Sequence, residues 1–109
     1  MKKLIAIIAV TSAACGGPPV DKTGRVPGIA ALTADAAAGA QVYSSTCASC
    51  HGPAGKGATA RAIVSDVAML STQELATIAI NGYGLMGPVG ASLTDQQVAN
   101  LAAWMKANL

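Results

Sequence analysis

Cys47-Ala48-Ser49-Cys50-His51 decides the reading of this 109-residue chain. The pattern is C-x-x-C-H, the spacing at which two thiols bond the vinyl groups of a haem while the adjacent histidine ligates its iron. Cysteines three apart bracket about one helical turn, so both sulfurs reach one edge of a flat macrocycle. The next residue then lies under the metal. Two other uses of the pentapeptide fit less well. A structural zinc site takes about four ligands, usually Cys and His, but the chain has one His and one further cysteine, Cys15. A thioredoxin-like dithiol follows a strand in a βαβ unit, and the alanine- and glycine-rich flanks here show no strand pattern.

Upstream of the motif, Lys2 and Lys3 precede an apolar run from Leu4 to Val10 and the small residues Thr11 to Ala14. A basic start, an apolar core and a small-residue end make an export signal, assigned to residues 1–14. The apolar run is about half of the roughly 20 residues that a membrane-spanning helix needs. Once Lys2 and Lys3 are set aside, five Lys/Arg face five Asp/Glu. The remaining chain is near neutral, and no basic stripe points to nucleic acid.

The cysteine count is odd. Cys15 follows Thr11-Ser12-Ala13-Ala14 and precedes Gly16-Gly17. This resembles a bacterial lipoprotein signal, in which the cysteine becomes the lipidated first residue and anchors the protein to a membrane. Ser12 stands where such signals usually carry Leu, so ordinary cleavage to a soluble exported protein is the alternative. Residues 15–32 hold Pro18, Pro19 and Pro27 among several glycines. With Cys15 at their head they are read as a flexible tether; a tail packed on the domain is the alternative for Ile29 to Leu32.

Residues 33–109 are expected to form one all-α domain of about four helices. Ala34 to Thr46 is a good helix former, with a possible cap at Thr33. His51 to Gly57 reads as a loop, and a weak turn or two is expected from Thr59 to Val64. Ser71-Thr-Gln-Glu74 has capping-box spacing. It opens a helix with Leu75, Ile78 and Ala79 on one face, ending at Asn81-Gly82. Thr94-Asp-Gln-Gln97 repeats the signature and opens a last helix with Val98, Leu101, Ala102 and Met105 at i, i+3, i+4, i+7. No segment reads as a strand. The chain has no Phe, two Tyr and one Trp. A core this thin, in a domain under about 80 residues, needs a staple, and a covalent haem supplies an apolar slab.

His51 is the only imidazole, so bis-histidine ligation within the chain is ruled out. The sixth-ligand candidates are Met69, Met86 and Met105. Met105 sits in the apolar repeat of the last helix, where a methionine is core. Met69 precedes a cap and reads as a gap-filler or a second choice. Met86 lies in Asn81-Gly-Tyr-Gly-Leu-Met-Gly-Pro88, whose glycines let the chain lie against a flat ligand, and it is assigned. A thioether opposite histidine favours reduced iron and raises the potential.

Ala38-Gly39-Ala-Gln-Val-Tyr43, the Cys47 to Gly52 motif, the Met86 loop and Leu93 to Trp104 occur in the order found in small class I cytochromes c. Over about residues 34–108 the chain resembles the monohaem bacterial c5, c6 and c551/c552 types. The resemblance implies a small cytochrome c fold in which the first and last helices cross, Gly39 at their contact and Tyr43 and Trp104 beside it. It implies one covalent haem c held by Cys47 and Cys50, with His51 and Met86 on the iron. It further implies a one-electron carrier, not an enzyme, serving redox partner proteins on the periplasmic side of a bacterial membrane. Two features depart from the pattern. Gly87 separates Met86 from the proline that usually follows the ligand. No proline lies between 54 and 87, so no carbonyl is assigned to orient His51. Lys56 and Arg61 are read as solvated loop charges. Two alternatives stay open: peroxide or gas chemistry if Met86 leaves the iron, and a fixed haem subunit of a larger oxidoreductase.

Overall fold

The computed structural model describes residues 17–109. The expected export signal, residues 1–14, and the lipidated Cys15 lie outside the described residues. Six helical segments follow one another: α1 Val26–Ala30, α2 Ala36–Thr46, α3 Ala48–His51, α4 Val64–Met69, α5 Thr72–Asn81 and α6 Asp95–Asn108. Among the described residues the only strand-like pairing is an isolated bridge between Tyr83 and Met86. No helix among them is long and apolar enough to cross a membrane. The three longer helices are present in the expected regions, a fourth, α4, lies beyond the expected turn, and α1 and the separate turn α3 add to them.

Both capping boxes form. Ser71 Oγ accepts from Glu74 N–H while Glu74 Oε1 accepts from Ser71 N–H, at 3.1 and 3.0 Å. Thr94 and Gln97 exchange the same pair of bonds at 3.1 and 2.9 Å. Each box satisfies orphan donors of the first helical turn. The cap of α2 is Asp35, whose carboxylate accepts from Ala38 N–H, and not the expected Thr33. Asn100 of α6 decides this: its Oδ1 accepts from Asp35 N–H at 2.8 Å and fixes where the chain turns into the helix. The expected turn at 59–64 is displaced to α4. The backbone before it bonds back to the motif, with Ala60 N–H to Cys50 O and Ile63 N–H to Gly55 O, both 2.8 Å. Lys106 Nζ donates to Val67 O at 3.0 Å and fastens α4 to α6.

The core lies around the crossing of α2 and α6. A Cβ placed on Gly39 would lie 2.0 Å from Asn100 O and 2.7 Å from Trp104 Cβ, so only glycine permits this approach. Tyr43 and Trp104 pack beside it, ring centroids 4.7 Å apart. Val98, Leu101, Ala102 and Met105 are all buried, as their spacing predicts. Leu75 and Ala79 complete one core cluster with Tyr43, Cys47 and Val67.

A second cluster corrects the tether expectation. Val26 and Ile29 of α1 are buried with Ala76, Ile80, Val98 and Ala99. Two apolar residues three apart share one helix face, and that face docks on α5 and α6. Arg25 adds three bonds: Nε to Asp95 Oδ1 at 2.8 Å, and guanidinium nitrogens to Ala91 O and Leu93 O at 3.1 and 2.7 Å. The stretch from Asp21 to Ala30 is therefore bound to the domain rather than free of it.

Candidate functional site

α2 ends at Thr46, and Cys47 is both its C-cap and the N-cap of α3. His51 N–H and Cys50 N–H donate to Cys47 O at 2.9 and 3.2 Å, so Cys47, Cys50 and His51 occupy one tight turn. Gly52 stops it at φ 84°, where a Cβ would meet Gly57 O at 2.8 Å. Tyr43 reaches from α2, its buried hydroxyl donating to Gly52 O at 2.7 Å. The core thus holds the end of the motif in place. Burial drives the Tyr43 phenol above its ordinary value. Burial, followed by the neighbouring Cys50, pushes the Cys47 thiol up to about 11. Cys50 is exposed.

The loop from Gly52 to Ile63 returns across the motif. Gly57 N–H donates to His51 O at 2.8 Å, and His51 Nδ1 lies 2.8 Å from Arg61 O. A carbonyl oxygen only accepts, so Nδ1 is the donor in this bond, and of the two ring nitrogens Nε2 is the one left for a metal. A second bond of this kind fixes tautomer and ring orientation in metal-ligating histidines. Arg61 O would thus serve as the orienting carbonyl for which the sequence offered no proline. Every residue carries a carbonyl, so nothing in the residue types marks this one. The Arg61 side chain turns away to Asp66, 2.9 Å. It and Lys56 are exposed, as expected of solvated loop charges.

Met86 is half-buried in the connection between α5 and α6. Tyr83 and Met86 exchange backbone bonds, N–H to O in both directions at 3.0 Å. Gly82 and Gly84 enter this turn at φ 79° and 57°, and a Cβ on Gly82 would meet Met86 O at 2.6 Å. Met69 is 86% exposed, so it does not fill a gap in the core. Met105 is buried in the core cluster. Cys47, Cys50 and His51 come together on one turn, while Met86 stands on a separate connection.

The donors fit a haem c. Cys47 and Cys50, two thiols on one turn, would bond the two vinyl groups, and the His51 imidazole, with Nδ1 held by Arg61 O, and the Met86 thioether would be available to iron. Such a group supplies a one-electron Fe(II)/Fe(III) couple. The chain's own part would be to hold the His51 ring through Arg61 O, the motif through Tyr43, and the Met86 side chain through the Tyr83–Met86 turn.

Comparison with known proteins agrees. Residues 34–105 match the family described as cytochrome c oxidase, cbb3-type, subunit III. A cytochrome c6 of a Picosynechococcus strain is 32% identical over 96% of this chain and 92% of its own length. Cytochrome c-554(547) of Halothiobacillus neapolitanus is 33% identical over 65% of this chain and 93% of its own. Among solved structures, cytochrome c6 of the diatom Phaeodactylum tricornutum superposes with a TM-score of 0.55 at 26% identity, over 67% of this chain and 92% of that one. Cytochrome cL of Hyphomicrobium denitrificans gives 0.55 at 25% identity over 73% of this chain, which spans only about half (47%) of that longer one. With more than half of its length matched to a haem c family and its all-α fold shared with these proteins, the chain belongs to the cytochromes c, as a small monohaem class I member that carries electrons on a covalent haem c.

Proposed function

We propose that this cytochrome is an exported one-electron carrier whose haem is bonded to Cys47 and Cys50 and ligated by His51 Nε2 and Met86 Sδ. The bond from His51 Nδ1 to Arg61 O carries this reading, because it fixes the orientation of the one imidazole and leaves Nε2 as the nitrogen for iron. Met86 is favoured over its rivals by its surroundings. Met69 points into solvent and Met105 is committed to the core, whereas Met86 is held half-buried by a glycine-framed turn. With both axial sites filled, the iron changes oxidation state without changing ligands. The protein then passes electrons between redox proteins rather than catalysing a reaction. Residues 1–14 direct export, and Cys15 carries lipid that keeps the domain on the periplasmic face of a membrane.

The visible spectrum of the purified holoprotein, ferric and ferrous, tests the ligand set. A low-spin spectrum with a sulfur-to-iron charge-transfer band is expected, with no carbon monoxide binding after reduction. The Met86→Ala variant should lose the band and bind carbon monoxide. A high-spin wild-type spectrum would replace the carrier with a peroxide- or gas-reactive protein. Lipid at Cys15 is checked by mass spectrometry of the N-terminal peptide from membranes, where an unmodified thiol would refute it.

A further inference from the structure

We infer that Asp21 and Asn81 are positioning residues for the Met86 turn, acting through a strap formed by residues 17–26. The inference rests on Met86 being the iron ligand and adds what holds that ligand in place.

Asn81 is the last residue of α5, immediately before the Gly82 break. Its side chain grips the strap from both ends of the amide. Nδ2 donates to Asp21 Oδ1 at 3.1 Å, and Oδ1 accepts from Lys22 N–H at 2.8 Å. Nδ2 also donates to Thr77 O, one turn back in α5, at 3.0 Å. Tyr83, on the other side of Gly82, donates its hydroxyl to Gly17 O. The residues flanking the glycine break are thus both tied to the strap, and Tyr83 is the residue whose backbone pairs with Met86.

The strap has its own internal frame. Asp21 Oδ1 accepts from the Thr23 hydroxyl at 2.6 Å and from Thr23 N–H at 2.9 Å, and Oδ2 accepts from Val26 N–H at 3.1 Å. Asp21 therefore couples the start of α1 to Asn81 through one carboxylate. The buried Val26 and Ile29 and the Arg25 bonds to Ala91 O, Leu93 O and Asp95 fix the far end of the strap. Ala91 and Leu93 belong to the connection that returns from Met86 to α6, and Asp95 is the first residue of α6. The strap thereby spans both roots of the α5–α6 connection, one at Asn81–Tyr83 and the other at Ala91–Asp95.

A glycine-rich turn by itself is loose, because glycine loses more conformational freedom on ordering than any other residue. Local opening concentrates in such segments. Bracing both roots raises the free energy of opening and keeps the thioether against the metal. Removal of the Asn81 grip should let the turn open more often, and each opening gives an outside ligand a chance to replace the thioether.

The test uses full-length holoprotein: wild type, Asn81→Ala, Asp21→Ala, Tyr83→Phe, Met86→Ala and Ser71→Ala. Two quantities are followed: loss of the sulfur-to-iron charge-transfer band on adding imidazole to the ferric form, and amide hydrogen exchange at Tyr83 and Met86. Asn81→Ala and Asp21→Ala should exchange ligand at least tenfold faster than wild type, with loss of protection at both amides. Tyr83→Phe, which removes one hydroxyl and keeps the ring, should fall between. Ser71→Ala loosens the opposite end of α5 and should match wild type in both readouts. If the strap variants exchange ligand within twofold of wild type while Met86→Ala has lost the band, the strap inference fails alone. If Ser71→Ala speeds exchange as much as Asn81→Ala, general stability explains the effect and the inference fails. If Met86→Ala keeps the band, the ligand reading and the inference built on it fall together.

Discussion

Replacing Gly39 by alanine sets two effects against each other, and the structure decides which wins. Alanine is the better helix former by about 0.8–1 kcal/mol, so on a free helix the change would stabilise. At the crossing the new methyl would sit 2.0 Å from Asn100 O, 2.6 Å from its carbonyl carbon and 2.7 Å from Trp104 Cβ. Carbon–oxygen contacts between helices settle at about 3.3–3.6 Å, so the backbones must part locally by more than ~1 Å. A radial gap of about 0.5–1 Å already forfeits a quarter to a half of the dispersion well, here over the Tyr43–Trp104 pair and the neighbouring core. Overpacking of this kind costs about 1–3 kcal/mol and occasionally more. Because the obstacle is backbone rather than a movable side-chain end, the upper part of that range applies. Net of propensity, a loss of about 2 kcal/mol is expected. For a domain of this size that corresponds to a Tm lowered by about 8–16 °C. The assay is thermal unfolding of the two holoproteins by far-UV circular dichroism, run in parallel. A Gly39→Ala protein melting at or above the wild-type temperature would refute the close crossing.

Cys47→Ala or Cys50→Ala should lose covalent haem, seen as haem released by acidified organic solvent, and should reduce helicity; native helicity in a haem-free variant would show that the core stands alone. Tyr43→Phe removes one of the two donors to the buried Gly52 carbonyl, leaving Gly55 N–H at 3.1 Å. A loss of about 0.5–1.5 kcal/mol follows from one lost buried hydrogen bond and is read by denaturant unfolding, with no change expected in the haem-to-protein ratio. The hydrogen bonds to Asp21, led by the Thr23 hydroxyl, hold its carboxyl well below the ordinary 3.8. A lowered folded value stabilises the fold above the ordinary one and loses that contribution as pH falls through the folded value. Asp21→Asn should therefore melt lower than wild type near neutrality, and the difference should shrink as pH drops below 3.8. A difference that stays constant across the acid range would count against the carboxylate.

The legible parts of the fold are those written locally. The capping boxes at Ser71 and Thr94 place the starts of α5 and α6 because both partners lie within four residues. The buried face of α6 follows from its apolar spacing. What was misplaced depends on distant partners. Asp35 displaces Thr33 as the cap of α2 because Asn100, 65 residues away, holds its amide. α4 has no side-chain cap, and Lys106 secures it from 39 residues away. Residues 17–32 have the composition of a linker, but Arg25 reaches partners 66 to 70 residues on. At the site, the C-x-x-C-H spacing marks the motif itself. The carbonyl that orients His51 has no residue signature, since any loop returning to that point would supply one.

The contact between Gly39 and Asn100 also has a consequence in time. A chain is made from its N-terminus at about 5–20 residues per second, and α6 is the last helix of the domain. For several seconds after His51 is made, Cys47 and Cys50 exist on a chain with no α6 to close over α2. In the closed fold Cys47 is buried, while Cys50 stays exposed. In the interval until α6 docks on α2, Cys47 lacks the Leu101, Ala102 and Met105 partners that bury it. Contacts between the two ends of a sequence form slowly, which lengthens that interval. The same helices joined in an order that made α6 early would bury Cys47 at once and close the window for its modification.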